Sequence, residues 1–202
     1  MRTNNRLALL PALSLALVMG AGLAAGCGAK REPVYASPKL AQSDVRTLQL
    51  MPVIDTRPDP FDAVTAANQF RSASKRVLEG RGYLVSIEAI SSSERQVSAG
   101  GIAKMDIRQL SDLAPPDQRY LMFLYIDQIE RGYDTRGERS RVRVRARLID
   151  AQVQAEMWRD EASAESALMG MLSILSGPGS DYEALFQAAR NLFLTLPDRK
   201  KG

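Results

Sequence analysis

In the segment Ser140 to Asp150 the chain alternates cleanly from Arg141 to Leu148. Val142, Val144, Ala146 and Leu148 fall on one side, and Arg141, Arg143, Arg145 and Arg147 fall on the other. Side chains of an extended strand point to opposite faces in turn, whereas a helix would scatter these arginines around its axis. The segment predicts a strand with one buried face. A buried face needs neighbouring strands and a covering layer.

The surrounding sequence supplies both. Val45 to Ile54 reads as a strand, and Phe61 to Glu79 as a helix with Val64, Ala67, Phe70, Ala73, Val77 and Leu78 on one stripe. Asp59 before Pro60 is the expected cap of that helix. Tyr83 to Ile90 is a second strand, Ser91 to Gly101 a polar loop, and Ile102 to Leu113 a short helix stopped by Pro115 and Pro116. Arg119 to Glu130 is the most apolar strand and leads through a Gly132–Gly137 hairpin loop into the alternating segment. Gln154 to Ala162 is the last strand and carries Trp158. Glu165 to Leu175 is an apolar helix or loop, and Tyr182 to Leu196 an amphipathic helix capped by Ser180 or Asp181. The order β-α-β-α-β-β-β-α predicts an α/β (α+β) fold. Its first half pairs in parallel through helical crossovers, its second half is an antiparallel meander, and helices pack on a mixed five-stranded sheet.

The N-terminus reads as a targeting signal. Arg2 and Arg6 precede an apolar run from Leu7 to Ala25. The run ends in Leu23-Ala24-Ala25-Gly26-Cys27, which resembles the bacterial lipobox, and Cys27 is the sole cysteine. That resemblance implies cleavage of residues 1–26 and acylation of Cys27, with Gly28 in the next position favouring the outer membrane. Gly28 to Ser43, with its prolines and serines, reads as an extended, mobile tether after the lipidated cysteine, so residues 27–43 form one segment. A single domain follows over 44–197, then a polar tail at 198–202.

Composition closes several routes to chemistry. With no histidine, this chain alone builds no Ser-His-Asp triad, Cys-His pair or His-ligated metal site. One cysteine excludes an internal disulfide and a cysteine metal cluster. Cleavage would remove two arginines and no acid, halving the formal charge of +4. A nucleic-acid partner is therefore not expected, and neither cofactor nor metal is implied.

Several residue strings point to one group. These are the Cys27 signal, the strand Leu48-Gln49-Leu50-Met51-Pro52-Val53-Ile54-Asp55 and the helix end Leu78-Glu79-Gly80-Arg81-Gly82-Tyr83. With them goes Arg147-Leu148-Ile149-Asp150-Ala151 followed by Glu156-Met157-Trp158-Arg159. Over residues 45–163 the pattern resembles outer-membrane lipoproteins with the compact α/β module of CsgG, LpoB, PelC and the N-terminal domain of TolB. The resemblance implies a non-enzymatic, lipid-anchored periplasmic protein of the outer membrane. Such a protein would be an accessory or assembly factor of an envelope, secretion or polysaccharide-export complex, with other envelope proteins or copies of itself as partners.

Four sets of residues are candidates for function. Arg141, Arg143, Arg145 and Arg147 form either a solvated face paired with Glu156, Asp160 or Glu161, or a basic strip that meets an anionic glycan, lipid head group or acidic protein. Trp158 is either a core aromatic or a contact anchor. Leu168, Met169, Met171 and Leu172 belong to a segment apolar on nearly all sides, either buried or an interface. Asp55, Asp59 and Asp62 cluster at the carboxyl end of the first strand, where α/β sheets often bind ligands and from where they could supply a glycosidase-type pair, although Asp59 as a helix cap and the others as solvated loop residues is the expectation.

Overall fold

Why the alternating segment folds as it does is clear from its neighbours in the computed structural model. The structure describes residues 31–58, 60–87, 99–134, 137–169 and 179–199. The described elements belong to one unit, Glu32–Gly202. In chain order they are β1 (Tyr35–Ala36), α1 (Pro38–Gln42), β2 (Thr47–Leu50), β3 (Ile54–Asp55), α2 (Ala63–Gly80), β4 (Leu84–Ile87), α3 (Ala99–Ile102), α4 (Ile107–Ser111), β5 (Tyr120–Asp134), β6 (Gly137–Asp150), β7 (Ala155–Met169) and α5 (Ser180–Phe193). Strand β2 pairs in parallel with β4 and β5, and β5, β6 and β7 form the antiparallel meander. The mixed α+β architecture and the split between parallel and antiparallel halves match the expectation.

The sheet has seven strands rather than five. The first strand is interrupted. Met51 still donates to the Met122 carbonyl at 3.0 Å, but Pro52 has no N–H, and the chain rejoins β5 only at Ile54 and Asp55. The second addition is β1, which lies in the segment expected to be a mobile tether. Tyr35 and Ala36 pair with Arg159 and Trp158, and Ser37 then donates to Met157 at 2.9 Å and caps α1, whose Leu40 is buried. The C-terminal segment is also held, because Arg199 reaches the carbonyls of Leu40 and Ser43.

Strand β7 runs on to Met169, where sequence predicts a helix or loop from Glu165. The Ala-Ser-Ala-Glu-Ser-Ala stretch has no strand propensity of its own, and its pairing with β6 overrides local preference. Helix α2 starts at Ala63 behind Asp62, whose side chain makes no cap hydrogen bond, and Asp59 lies outside the described residues. Helix α5 starts behind Gly179, so neither Ser180 nor Asp181 caps it.

Two cores flank the sheet. On one face, Val142, Val144, Ala146 and Leu148 of β6 pack with Trp158, with Phe70, Ala73 and Leu78 of α2, and with Leu185, Ala189, Leu192 and Phe193 of α5. Burying a side chain of this size stabilises by about 1.5–3 kcal/mol. On the opposite face a smaller cluster forms under α3 and α4 from Met51, Ile54, Ile102, Leu110, Leu121, Phe123, Tyr125 and Ile149. Val64, expected on the buried stripe of α2, is instead 76% exposed, because the stripe runs through Ala66, Phe70 and Ala73 and Val64 lies to one side of it.

Candidate functional site

The arginines of β6 share the face that carries the smaller core. Each finds its surroundings through strand register. Arg147 donates to Glu156 of β7 at 2.6 Å, as one expected pairing has it. Arg145 pairs instead with Asp127 at 2.5 Å and lies over the Tyr125 ring. Arg139 and Arg141 share Glu165. Asp160, expected on this face, is buried on the other, where it accepts from Thr195.

Arg143 differs from the rest of the stripe. Strand β5 bulges at Asp127, since Ile126 faces Val144 and Gln128 faces Arg143. The bulge sends the carboxylate of Asp127 to Arg145 and leaves a neutral amide opposite Arg143. On the other side Arg143 faces Ser163. Among the described residues it has no carboxylate partner. It lines an open depression of about 430 Å³ with Gln128, Arg141, Ser163 and Glu165. A guanidinium beside an amide and a hydroxyl suits a carboxylate or other oxyanion.

The acidic candidates are arranged differently. Arg57 grips Asp55 at 2.6 Å and Asp62 at 3.0 Å. Arg131 joins Asp62 to Asp181, and Ser140 donates to Asp181 at 2.6 Å. Burial pushes the Asp62 carboxyl up, but hydrogen bonds and charge from Arg131 and Arg57 outweigh it and hold the group below the ordinary carboxylate value. A general acid needs the reverse shift. This network ties the end of β3, the start of α2, the far half of β5 and the start of α5 together. It spans long sequence separations, so no local pattern could reveal it.

Trp158 is fully buried. It stacks on Phe193 with ring centroids 6.0 Å apart, and its indole N–H donates to Thr195. It is therefore a core aromatic in this fold and offers no surface to a glycan or partner. Leu168 and Met169 end β7, opposite Glu138 and Gly137. Met171 and Leu172 lie outside the described residues, as do Cys27 and the signal segment. Among the described residues no group of three or more acids, cysteines or histidines is placed to hold a metal, and no helix is long and apolar enough to cross a membrane.

No family model matches the sequence, and no curated protein matches it. Solved structures do. The PelC dodecamer from Paraburkholderia phytofirmans is 15% identical, with a TM-score of 0.50 over 82% of this chain and 96% of that one. Lipoprotein GNA1162 from Neisseria meningitidis is 17% identical, with a TM-score of 0.49 over 72% of this chain and 96% of that one. Protein XCC0632 from Xanthomonas campestris is 14% identical, with a TM-score of 0.42 over 80% of this chain and 89% of that one. The comparisons support the PelC part of the resemblance. What the likeness shows is the fold: this chain is built like a PelC protomer.

Proposed function

We propose that this chain is a lipid-anchored protein of the bacterial outer membrane, facing the periplasm, that works by binding rather than catalysis. It serves as an accessory or assembly factor of an envelope secretion or export complex. The observation that carries the reading is the disposition of charge. Asp55, Asp62 and Asp181 are locked on arginines, while a polar sheet face centred on Arg143 stays open among the described residues. The sequence around Cys27 supports the anchor, and confinement to one membrane surface raises the effective concentration for a partner there. A chain of the same fold occurs as a dodecamer, which supports self-association as part of that role. A photocrosslinker at Ser163 in intact cells tests the reading. It should yield one discrete envelope-protein adduct or a self-adduct, and an uncrosslinked face in cells that carry the working protein would contradict it.

A second reading rests on Arg143 itself: the open depression takes the carboxylate of an acidic glycan. A polyuronate should bind the full chain, weaken with salt, and lose binding in Arg143→Glu. Salt-independent binding, or binding that survives the charge reversal, would remove this reading.

A further inference from the structure

The three most exposed large apolar side chains among the described residues lie at one end of the sheet. They are Phe61 at 92%, Tyr133 at 85% and Val64 at 76%. Tyr133 sits beside the turn that joins β5 to β6, where Asp134 faces Gly137. Phe61 lies under the guanidinium of Arg131, two residues back along β5, at 5.2 Å. Val64 is in the first turn of α2, just after Phe61. The charges beneath this patch are mutually neutralised, because Arg131 and Arg57 are both held by carboxylates. The surface is thus apolar and aromatic above a balanced ionic floor.

The chain enters the domain from the same direction. Strand β1 is antiparallel to β7, with Tyr35 at Arg159 and Ala36 at Trp158. Backwards from Tyr35, the strand points along β7 toward Met169, which faces Gly137 at the turn end. Cys27 stands eight residues before Tyr35. That length of chain reaches at most about 26–29 Å. From Arg159 to the turn end, β7 covers about 33–34 Å. A tether extended in that direction falls only several ångströms short of the turn end, so a bilayer that holds Cys27 is within reach of this end of the domain, at the depth where interfacial side chains sit.

We propose that this end of the domain is a membrane-contact surface. Phe61, Val64 and Tyr133 enter the headgroup region of the bilayer that holds the acyl chains of Cys27, and they fix the domain with the β5–β6 turn toward the lipid. Tyrosine favours such interfaces because its ring is apolar and its hydroxyl reaches water. The proposal rests on the reading that Cys27 is acylated.

The test uses the full lipidated chain in vesicles of phosphatidylethanolamine and phosphatidylglycerol. An environment-sensitive fluorophore is attached at Tyr133→Cys or, as the contrast, at Gln152→Cys in the β6–β7 turn, the native thiol being blocked by its acyl chain. The Tyr133 label should shift to the blue and be quenched by spin-labelled lipid, the Gln152 label should do neither, and Phe61→Ser should weaken the Tyr133 signal. If the chain floats with vesicles but the Tyr133 label stays in water, the orientation is wrong while the anchor stands. A label shielded from water but unquenched by lipid points to a protein partner and also overturns it. If the chain does not float at all, the anchor reading fails and takes this proposal with it.

Discussion

The indole N–H of Trp158 donates to the Thr195 hydroxyl at 3.1 Å, and that hydroxyl donates in turn to the buried carboxylate of Asp160 at 2.8 Å. The chain of bonds fastens the end of α5 to β7 and gives both buried polar groups a partner. Thr195→Val keeps the shape and deletes the hydroxyl. It should cost about 1–3 kcal/mol, because two buried groups each lose a bond. Chemical denaturation followed by Trp158 fluorescence measures this, and an unchanged midpoint would show that the link contributes nothing.

Asp62 makes stability depend on acid. Burial raises its pKa, but the attraction of Arg131 and Arg57 leaves it lowered overall. A lowered folded-state value means that the stabilisation is fully present above the unfolded carboxylate pKa of about 3.9 and is lost as pH falls through the folded value. Asp62→Asn should lower stability at neutral pH and flatten the acid limb of the stability curve. A variant whose curve runs parallel to that of the wild type would contradict the assignment.

Neighbouring arginines of β6 should behave differently. Arg147→Ala takes the close partner from the mostly buried Glu156, leaving it Arg159 at 3.8 Å, and should cost about 1–3 kcal/mol. Arg143→Ala removes no ion pair among the described residues and should stay within about 0.5 kcal/mol of wild type. Thermal melts of the two variants compare them directly, and equal destabilisation would mean that Arg143 has a structural partner.

The two faces of the sheet can be probed through Leu110 and Val64. Leu110 is fully buried in the smaller core, so Leu110→Ala should cost about 2–5 kcal/mol. Val64→Ala should change stability little, because the side chain is exposed. A large loss at Val64 would restore it to the core.

What could be read from sequence followed the reach of each signal. The inward set of β6 was legible because alternation is local and complete. The buried face of α2 was legible from Phe70 to Leu78 but not in the first turn, where steps of three and four fit Val64 as well as Ala66 and only Ala66 is buried. Strand β1 was not legible because backbone pairing to β7 needs no side-chain signature. The far half of β7 was masked by alanine, serine and glutamate, whose local preference is not for strand. The isolation of Arg143 depends on a bulge at Asp127, and counting alternate residues cannot place a bulge. The Asp62–Arg131–Asp181 network is invisible locally because its members come from three separate elements.

The central claim is the anchor at Cys27, and acyl labelling in cells tests it most directly. Cells expressing the full chain are fed an alkyne fatty acid, and membranes are then floated on a density gradient. The wild-type chain should carry the label and float, whereas Cys27→Ala should be unlabelled. A Cys27→Ala chain that still floats and still takes up label would contradict the account.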